Sequence, residues 1–137
     1  MKSMIALIAA AVLLLTGCAS LDSRVTEGAN QVELRQIQTR EYDSIDKERT
    51  MRAVIATLQD LGFVIDKADI DLGSVSGTKL KQYVVKMTVI VRDQGAAKVA
   101  VRANANFNNK PLNDPEAYQS FFASLDKSIF LLKNKVD

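Results

Sequence analysis

Two neighbouring stretches decide the fold: YVVKMTVIVR (residues 83–92) and KVAVRANANF (residues 98–107), which the short segment DQGAA separates. Apolar and polar residues alternate in both, and this period of two is typical of a β-strand with one buried face. The inward series is Tyr83, Val85, Met87, Val89 and Val91, followed by Val99, Val101, Ala103, Ala105 and Phe107. Because Gly95 lies in the segment between them, the pattern predicts an antiparallel hairpin with one face in the core and one in water.

Two amphipathic helices are predicted on either side of this hairpin in the sequence. The apolar stripe of the first consists of Met51, Val54, Ile55, Leu58 and Leu61, and that of the second consists of Tyr118, Phe121, Phe122, Leu125, Ile129 and Leu132. Ser44 or Asp46 can cap the first helix, and Gly62 can end it in a left-handed conformation. Asp114 and Pro115 mark the start of the second helix, since an acidic cap followed by proline favours the first turn.

Three further strands complete the predicted order of elements. Residues 32–39 are interpreted as a strand because Val32 and Leu34 alternate with polar residues, and residues 63–68 and 74–80 as two more. The order is therefore β-α-β-β-β-β-α. Neighbouring strands are antiparallel because short turns connect them. A sheet with one solvent-exposed face carries both helices on its other face. The sequence thus predicts a two-layer α+β domain with an antiparallel sheet of about four to five strands and two helices on one face.

The first 20 residues have the organisation of an export signal. Lys2 precedes a wholly apolar segment from Met4 to Leu15, which is shorter than the about 20 residues that a membrane-spanning helix needs. The residues that follow, Leu15-Thr16-Gly17-Cys18, resemble the lipobox of bacterial lipoproteins. The alternatives are an ordinary secretory peptide followed by a free cysteine, or a short buried helix.

The lipobox resemblance implies cleavage before Cys18 and covalent lipidation of that cysteine with a diacylglycerol and an N-acyl chain such as palmitate. Two or more acyl chains hold a protein stably on a membrane. Ala19 follows the cysteine. In such lipoproteins an alanine at this position favours transfer of the protein to the outer membrane, where the domain faces the periplasm. On this interpretation residues 1–17 are a signal peptide, residues 18–30 are the lipidated cysteine and a flexible linker, and residues 31–137 are a single α+β domain.

The predicted order of elements between residues 31 and 133 also has a likeness among envelope proteins. Together with the junction Leu61-Gly62-Phe63-Val64-Ile65, it is similar to the helix-grip modules of envelope lipoproteins, such as the C component of the outer-membrane β-barrel assembly machinery. This likeness concerns the fold and implies no function by itself.

The composition limits the chemistry that the chain can perform. It has no histidine and one cysteine, which the lipobox uses, so disulfides, triads and Cys/His zinc sites are excluded. Asp69, Asp71 and Gly73 resemble the start of a calcium loop, but Ser74 and Leu80 stand where an EF-hand requires glycine and glutamate. The carboxylates are interpreted as turn and cap residues. We expect no enzyme, no metal and no cofactor other than the acyl groups on the lipidated cysteine.

The net charge of the chain and the solvent-exposed face of the hairpin indicate which classes of partner the protein binds. The chain has 18 basic and 16 acidic side chains, which is too close to neutral to favour nucleic acid. The candidate interaction residues are Lys86, Arg92, Lys98, Arg102, Val84 and Ile90. The basic members suit anionic lipid or glycan, and the apolar members suit a protein partner, while a plain solvated face is the alternative.

The favoured hypothesis is a non-enzymatic accessory or interaction module of an envelope protein complex that serves assembly, transport or secretion. The alternative is a lipid- or glycan-binding lipoprotein that holds its ligand in a groove between the helices and the sheet. Both hypotheses leave the oligomeric state open.

Overall fold

The structure, a computed structural model, describes residues 30–134. Its elements are α1 (30–37), β1 (Thr39–Asp43), α2 (Lys47–Asp60), β2 (Val64–Asp69), β3 (Ser74–Leu80), β4 (Val84–Asp93), β5 (Lys98–Phe107), β6 (Lys110–Pro111) and α3 (Pro115–Lys133). The compact unit that begins at Leu34 contains all of these strands together with α2 and α3.

The strands form one antiparallel sheet in the order β1-β5-β4-β3-β2, and the short strand β6 pairs with the end of β5. At its centre is the β4–β5 hairpin, in which Val89 lies opposite Ala103 and Thr88 opposite Asn104. Helices α2 and α3 pack against each other and share one core with the inward side chains of the sheet. This is the predicted two-layer α+β architecture, with α1 as an additional helix.

The inward series of the hairpin is confirmed. The face of the sheet under the helices, here called the covered face, buries Val75, Met87, Val89, Val91, Val99, Val101, Ala103 and Ala105. Its first and last members, Tyr83 and Phe107, remain 40% and 39% exposed. The opposite face, here called the open face, carries the alternating polar residues.

The strand predicted over residues 32–39 is wrong. Residues 30–37 are helical, and β1 begins only at Thr39. Leu34 and Ile37 are half-buried and stand three residues apart, which is the spacing of one helix face, whereas Val32 is 56% exposed. The break in the apolar-polar alternation at Ile37 therefore indicates a helix.

The predicted ends of both long helices are confirmed. Asp46, not Ser44, is the N-cap of α2, where its carboxylate accepts the backbone N–H of Arg49 at 2.8 Å. Gly62 follows α2 with a φ of 86°. Asp114 caps α3 by accepting the backbone N–H of Glu116 at 3.0 Å, directly before Pro115. Local capping chemistry thus fixes where each helix begins.

The connection between β5 and α3 contains the short strand β6. Lys110 pairs with Phe107 and Pro111 with Asn106. The next residue, Leu112, donates its backbone N–H to the Ala105 carbonyl at 2.8 Å. Proline has no N–H to donate, so such a strand is confined to the edge of a sheet.

The hydroxyl of Tyr118 joins α3 to the sheet inside the core. It donates to the Leu112 carbonyl at 2.7 Å and accepts both the backbone N–H of Ala105 and the side-chain amide of Gln38, each at 3.1 Å. Tyr118 is fully buried, and its polar atom is satisfied on every side. The bond with Gln38 ties the segment before β1 to the same point.

Over the described range, no helix is long and apolar enough to cross a membrane.

Candidate functional site

The open face holds the residues that the sequence nominates for interaction. Val84, Lys86, Ile90 and Arg92 lie on β4, and Lys98 and Arg102 lie on β5, all with side chains on this face. The predicted signal peptide (residues 1–17), Cys18 and Ala19 lie outside the described residues.

Three of the nominated residues come together in one depression of the open face. Ile90, Arg92 and Arg102 line a hollow of about 320 Å³ together with Thr39, Ala100 and Asn104. The register explains this, because Ile90 is paired with Arg102 and Arg92 with Ala100 on the neighbouring strand. Ile90 is half-buried, Arg102 stands opposite it on β5, and Arg92 follows it on the same face of β4.

Lys98 is already paired within the protein. Its ammonium lies 2.9 Å from the Glu41 carboxylate on β1, and this hydrogen bond and charge raise the pKa of Lys98 above its usual value. Lys98 is therefore partly neutralised at the edge of the open face. By contrast, neither Arg92 nor Arg102 takes part in any ion pair formed among residues 30–134.

Lys86 and Val84 lie apart from the depression. Lys86 and Thr88 stand between Val84 and Ile90 along β4, so the two apolar residues do not form one patch. Val84 instead pairs with Leu80 of β3, which is 72% exposed. The six nominated residues thus divide into three in the basic depression, Lys98 in an ion pair, Val84 at a small apolar end, and Lys86, which is exposed and belongs to none of these groups.

A second concave site lies on the covered face and contains none of the six nominated residues. It is a groove of about 340 Å³ between the end of α2, the start of α3 and the beginning of β4. Val85, Met87 and Phe121 form its floor, and Tyr83 and Phe107 stand at its mouth with ring centroids 5.0 Å apart. The incomplete burial of these two aromatic residues marks the place where the helices leave the sheet uncovered.

Lys79 is the cation of this groove. Its ammonium donates to the Leu61 carbonyl at the end of α2, at 2.8 Å, and lies 5.9 Å from the centroid of the Phe63 ring. None of the ion pairs within residues 30–134 involves Lys79. Sequence reasoning missed it because a lysine near the end of a strand looks like any solvated residue.

The carboxylates considered for chemistry have structural partners. Asp66 accepts the hydroxyl of Thr78 at 2.6 Å, and Asp69 accepts the backbone N–H of Leu72 at 2.9 Å. The side chains of histidine, cysteine, aspartate and glutamate form no cluster suited to a metal ion anywhere in residues 30–134. The segment that follows Asp69 is a hydrogen-bonded turn between β2 and β3, as interpreted from the sequence.

A polar cluster of Arg40, Tyr42 and Asp126 fastens β1 to α3. The Asp126 carboxylate accepts the Arg40 guanidinium at 2.6 Å and the Tyr42 hydroxyl at 2.7 Å. Burial, and next the bond to Asp126, raise the pKa of Tyr42 above its ordinary value. The guanidinium of Arg40 also lies 4.8 Å from the centre of the Phe122 ring. All three side chains bind one another, so the cluster is structural.

No known protein-family model matches the chain, and a search of curated protein sequences finds no match either. The functional argument therefore depends on the residues and geometry of the chain itself.

Proposed function

We propose that the protein is a lipid-anchored envelope lipoprotein that acts as a non-enzymatic interaction module of an envelope protein complex. In this proposal the acyl groups on Cys18 hold it at the outer membrane, facing the periplasm, and the open face binds a partner protein. The observation that carries the binding role is the depression around Ile90, with Arg92 and Arg102 at its sides.

The chemistry of this depression suits an acidic partner with an apolar side chain at its centre. A half-buried isoleucine offers an apolar surface, and two guanidinium groups that form no ion pair within residues 30–134 can each bind a carboxylate with two parallel hydrogen bonds. Arginine is enriched at protein interfaces for this reason. Nucleic acid is not proposed as a partner because acidic Glu41 and Asp43 border the same face on β1.

The anchor rests on the sequence Leu15-Thr16-Gly17-Cys18 and its place directly after an apolar segment. The non-enzymatic role rests on the absence of histidine from the chain and on the use of its single cysteine for lipidation. In the described part of the chain, Glu41, Asp46, Asp66 and Asp126 are each bound to another group of the same protein.

Crosslinking in living cells tests this proposal. The tagged protein with Cys18 intact is compared with Cys18→Ser, which cannot be lipidated, and with the double variant Arg92→Glu/Arg102→Glu. A matched control is Arg49→Glu/Lys127→Glu, which makes the same change of charge at exposed positions of α2 and α3.

We expect one envelope protein to be captured by the unchanged chain and by the control, and to be lost with Arg92→Glu/Arg102→Glu. Cys18→Ser is expected to lose it as well, because the domain leaves the membrane. Capture that survives charge reversal at the depression would refute the open face as the binding surface. If no protein is captured by any version, the partner proposal fails.

A further inference from the structure

The groove on the covered face exists because α3 carries small side chains at one end. Ala117 and Ser120 line it, whereas Phe122 and Leu125 fill the space between the same helix and the sheet further along. Ala117 and Ser120 are three residues apart and so share one face of the helix. The covered face is therefore left open beside Tyr83, over the start of β4.

The groove is apolar inside and cationic at its mouth. Its floor of Val85, Met87 and Phe121 offers no hydrogen-bonding side chain, and only Lys79 brings a positive charge to it. An ammonium group has three donors, of which the Leu61 carbonyl accepts one. Asp114 also lines the groove, where its carboxylate caps α3 by accepting the backbone N–H of Glu116.

We propose that this groove binds one acyl chain of an anionic phospholipid taken from the bilayer, with the phosphate of the lipid on the ammonium of Lys79. A volume of about 340 Å³ suits a narrow ligand, being near the lower limit of roughly 300–1,000 Å³ for small-molecule pockets. Tyr83 stands at the mouth, and such amphipathic rings favour the level of lipid headgroups. The site is separate from the open face, so this proposal and the proposed function can fail independently.

The polarity of the groove argues for a lipid chain over a peptide. A peptide brings backbone N–H and C=O groups, and burying such a group without a hydrogen-bond partner is unfavourable. The floor has no side chain that could satisfy these groups, whereas an acyl chain has none to satisfy. The charge at the mouth then selects lipids with a negative headgroup over neutral ones.

Photolabelling in vesicles tests the inference. The full chain is reconstituted into phosphatidylglycerol vesicles that contain a trace of phosphatidylglycerol with a diazirine on its acyl chain, and the labelled peptides are mapped after irradiation. We expect label on residues 83–87 and 117–121. Ala117→Phe fills the groove and should lower this label about fivefold or more, whereas Ala123→Phe, at an exposed position of the same helix, should leave it unchanged.

The headgroup is tested by charge. Lys79→Gln is expected to lower the label in phosphatidylglycerol, Lys127→Gln is expected not to, and a labelled phosphatidylcholine should label the groove less than phosphatidylglycerol does. Lys79→Gln also serves as the test variant for the groove if circular dichroism shows that Ala117→Phe is unfolded.

Absence of label from the groove, or equal label in wild type and folded Ala117→Phe, overturns the site. Equal label with both headgroups overturns the anionic lipid, and displacement by free palmitate at equimolar amounts overturns the bilayer phospholipid as the source.

Discussion

The two ends of the covered face are built differently. At the closed end, β1 and the C-terminal half of α3 are joined by the cluster of Arg40, Tyr42 and Asp126, and Lys133 donates to the carbonyl of Asp43. At the groove end, Ala117 of α3 faces the start of β4, and the aromatic rings at the mouth stay partly in water. Both ends belong to the same helix and the same sheet.

This comparison shows that the groove results from the size of the side chains on α3 and not from the topology of the fold. Over the groove, α3 presents the small residues Ala117 and Ser120, whereas further along the helix Phe122 and Leu125 fill the core. A site for a narrow ligand thus arises where a helix stops filling its side of the core. The closed end supplies the stability that allows the other end to remain unfilled.

Two phenylalanines provide the largest test of this difference. Phe122 is buried at the closed end beside Arg40, whereas Phe107 is 39% exposed at the mouth of the groove. We expect Phe122→Ala to lower the free energy of unfolding by about 3–5 kcal/mol and Phe107→Ala by only about 1 kcal/mol. Urea unfolding followed by circular dichroism measures both, and similar losses would show that the two ends are equally filled.

Two glycines test how tightly the closed end is built around β4. Gly73 has a φ of 69°, and a Cβ there would overlap the carbonyl of Val91. Gly95 has a φ of 79° but open space around it. We expect Gly73→Ala to lower the free energy of unfolding by about 3 kcal/mol and Gly95→Ala by about 1 kcal/mol, the strain of a left-handed residue alone. A Gly73→Ala protein as stable as Gly95→Ala would contradict the close packing of the turn.

Much of this architecture could be predicted from the sequence. The alternation in residues 83–107, the apolar stripes of α2 and α3 and the caps at Asp46 and Asp114 act locally, so period and cap chemistry identify them. Residues 32–39 could not be assigned, because their few apolar residues fit both a strand and a helix. A short segment of this kind is decided by the packing of Ile37 against the core.

The candidate site was only partly predictable. The open-face residues follow from alternation, but which of them meet depends on the register that places Ile90 opposite Arg102. The groove could not be located at all, because it depends on which small residues of α3 lie over Tyr83 and Val85. This arrangement depends on residues that lie far apart in the sequence, so no local sequence pattern predicts it.

A smaller effect is expected from pH at the closed end. The pKa of Tyr42 in the folded protein is raised above its ordinary value of 10.0, so the neutral hydroxyl contributes stability below pH 10 that is lost as the pH rises above it. The difference in free energy of unfolding between wild type and Tyr42→Phe should therefore shrink between pH 9 and pH 11. Lys98 is present in both proteins, so its raised pKa cancels in this difference. A constant difference would contradict the buried bond to Asp126.

The central claim is that the covered face has a filled core and an unfilled groove. Introducing a phenylalanine side chain into each of them tests it most directly. Ala53 is buried in the core, and Ala117 lines the groove. The free energy of unfolding in urea is measured for Ala53→Phe and Ala117→Phe. We predict that Ala53→Phe loses about 1–3 kcal/mol or more through overpacking, whereas Ala117→Phe stays within about 0.5 kcal/mol of wild type or is more stable. A loss in Ala117→Phe equal to that in Ala53→Phe would contradict the account.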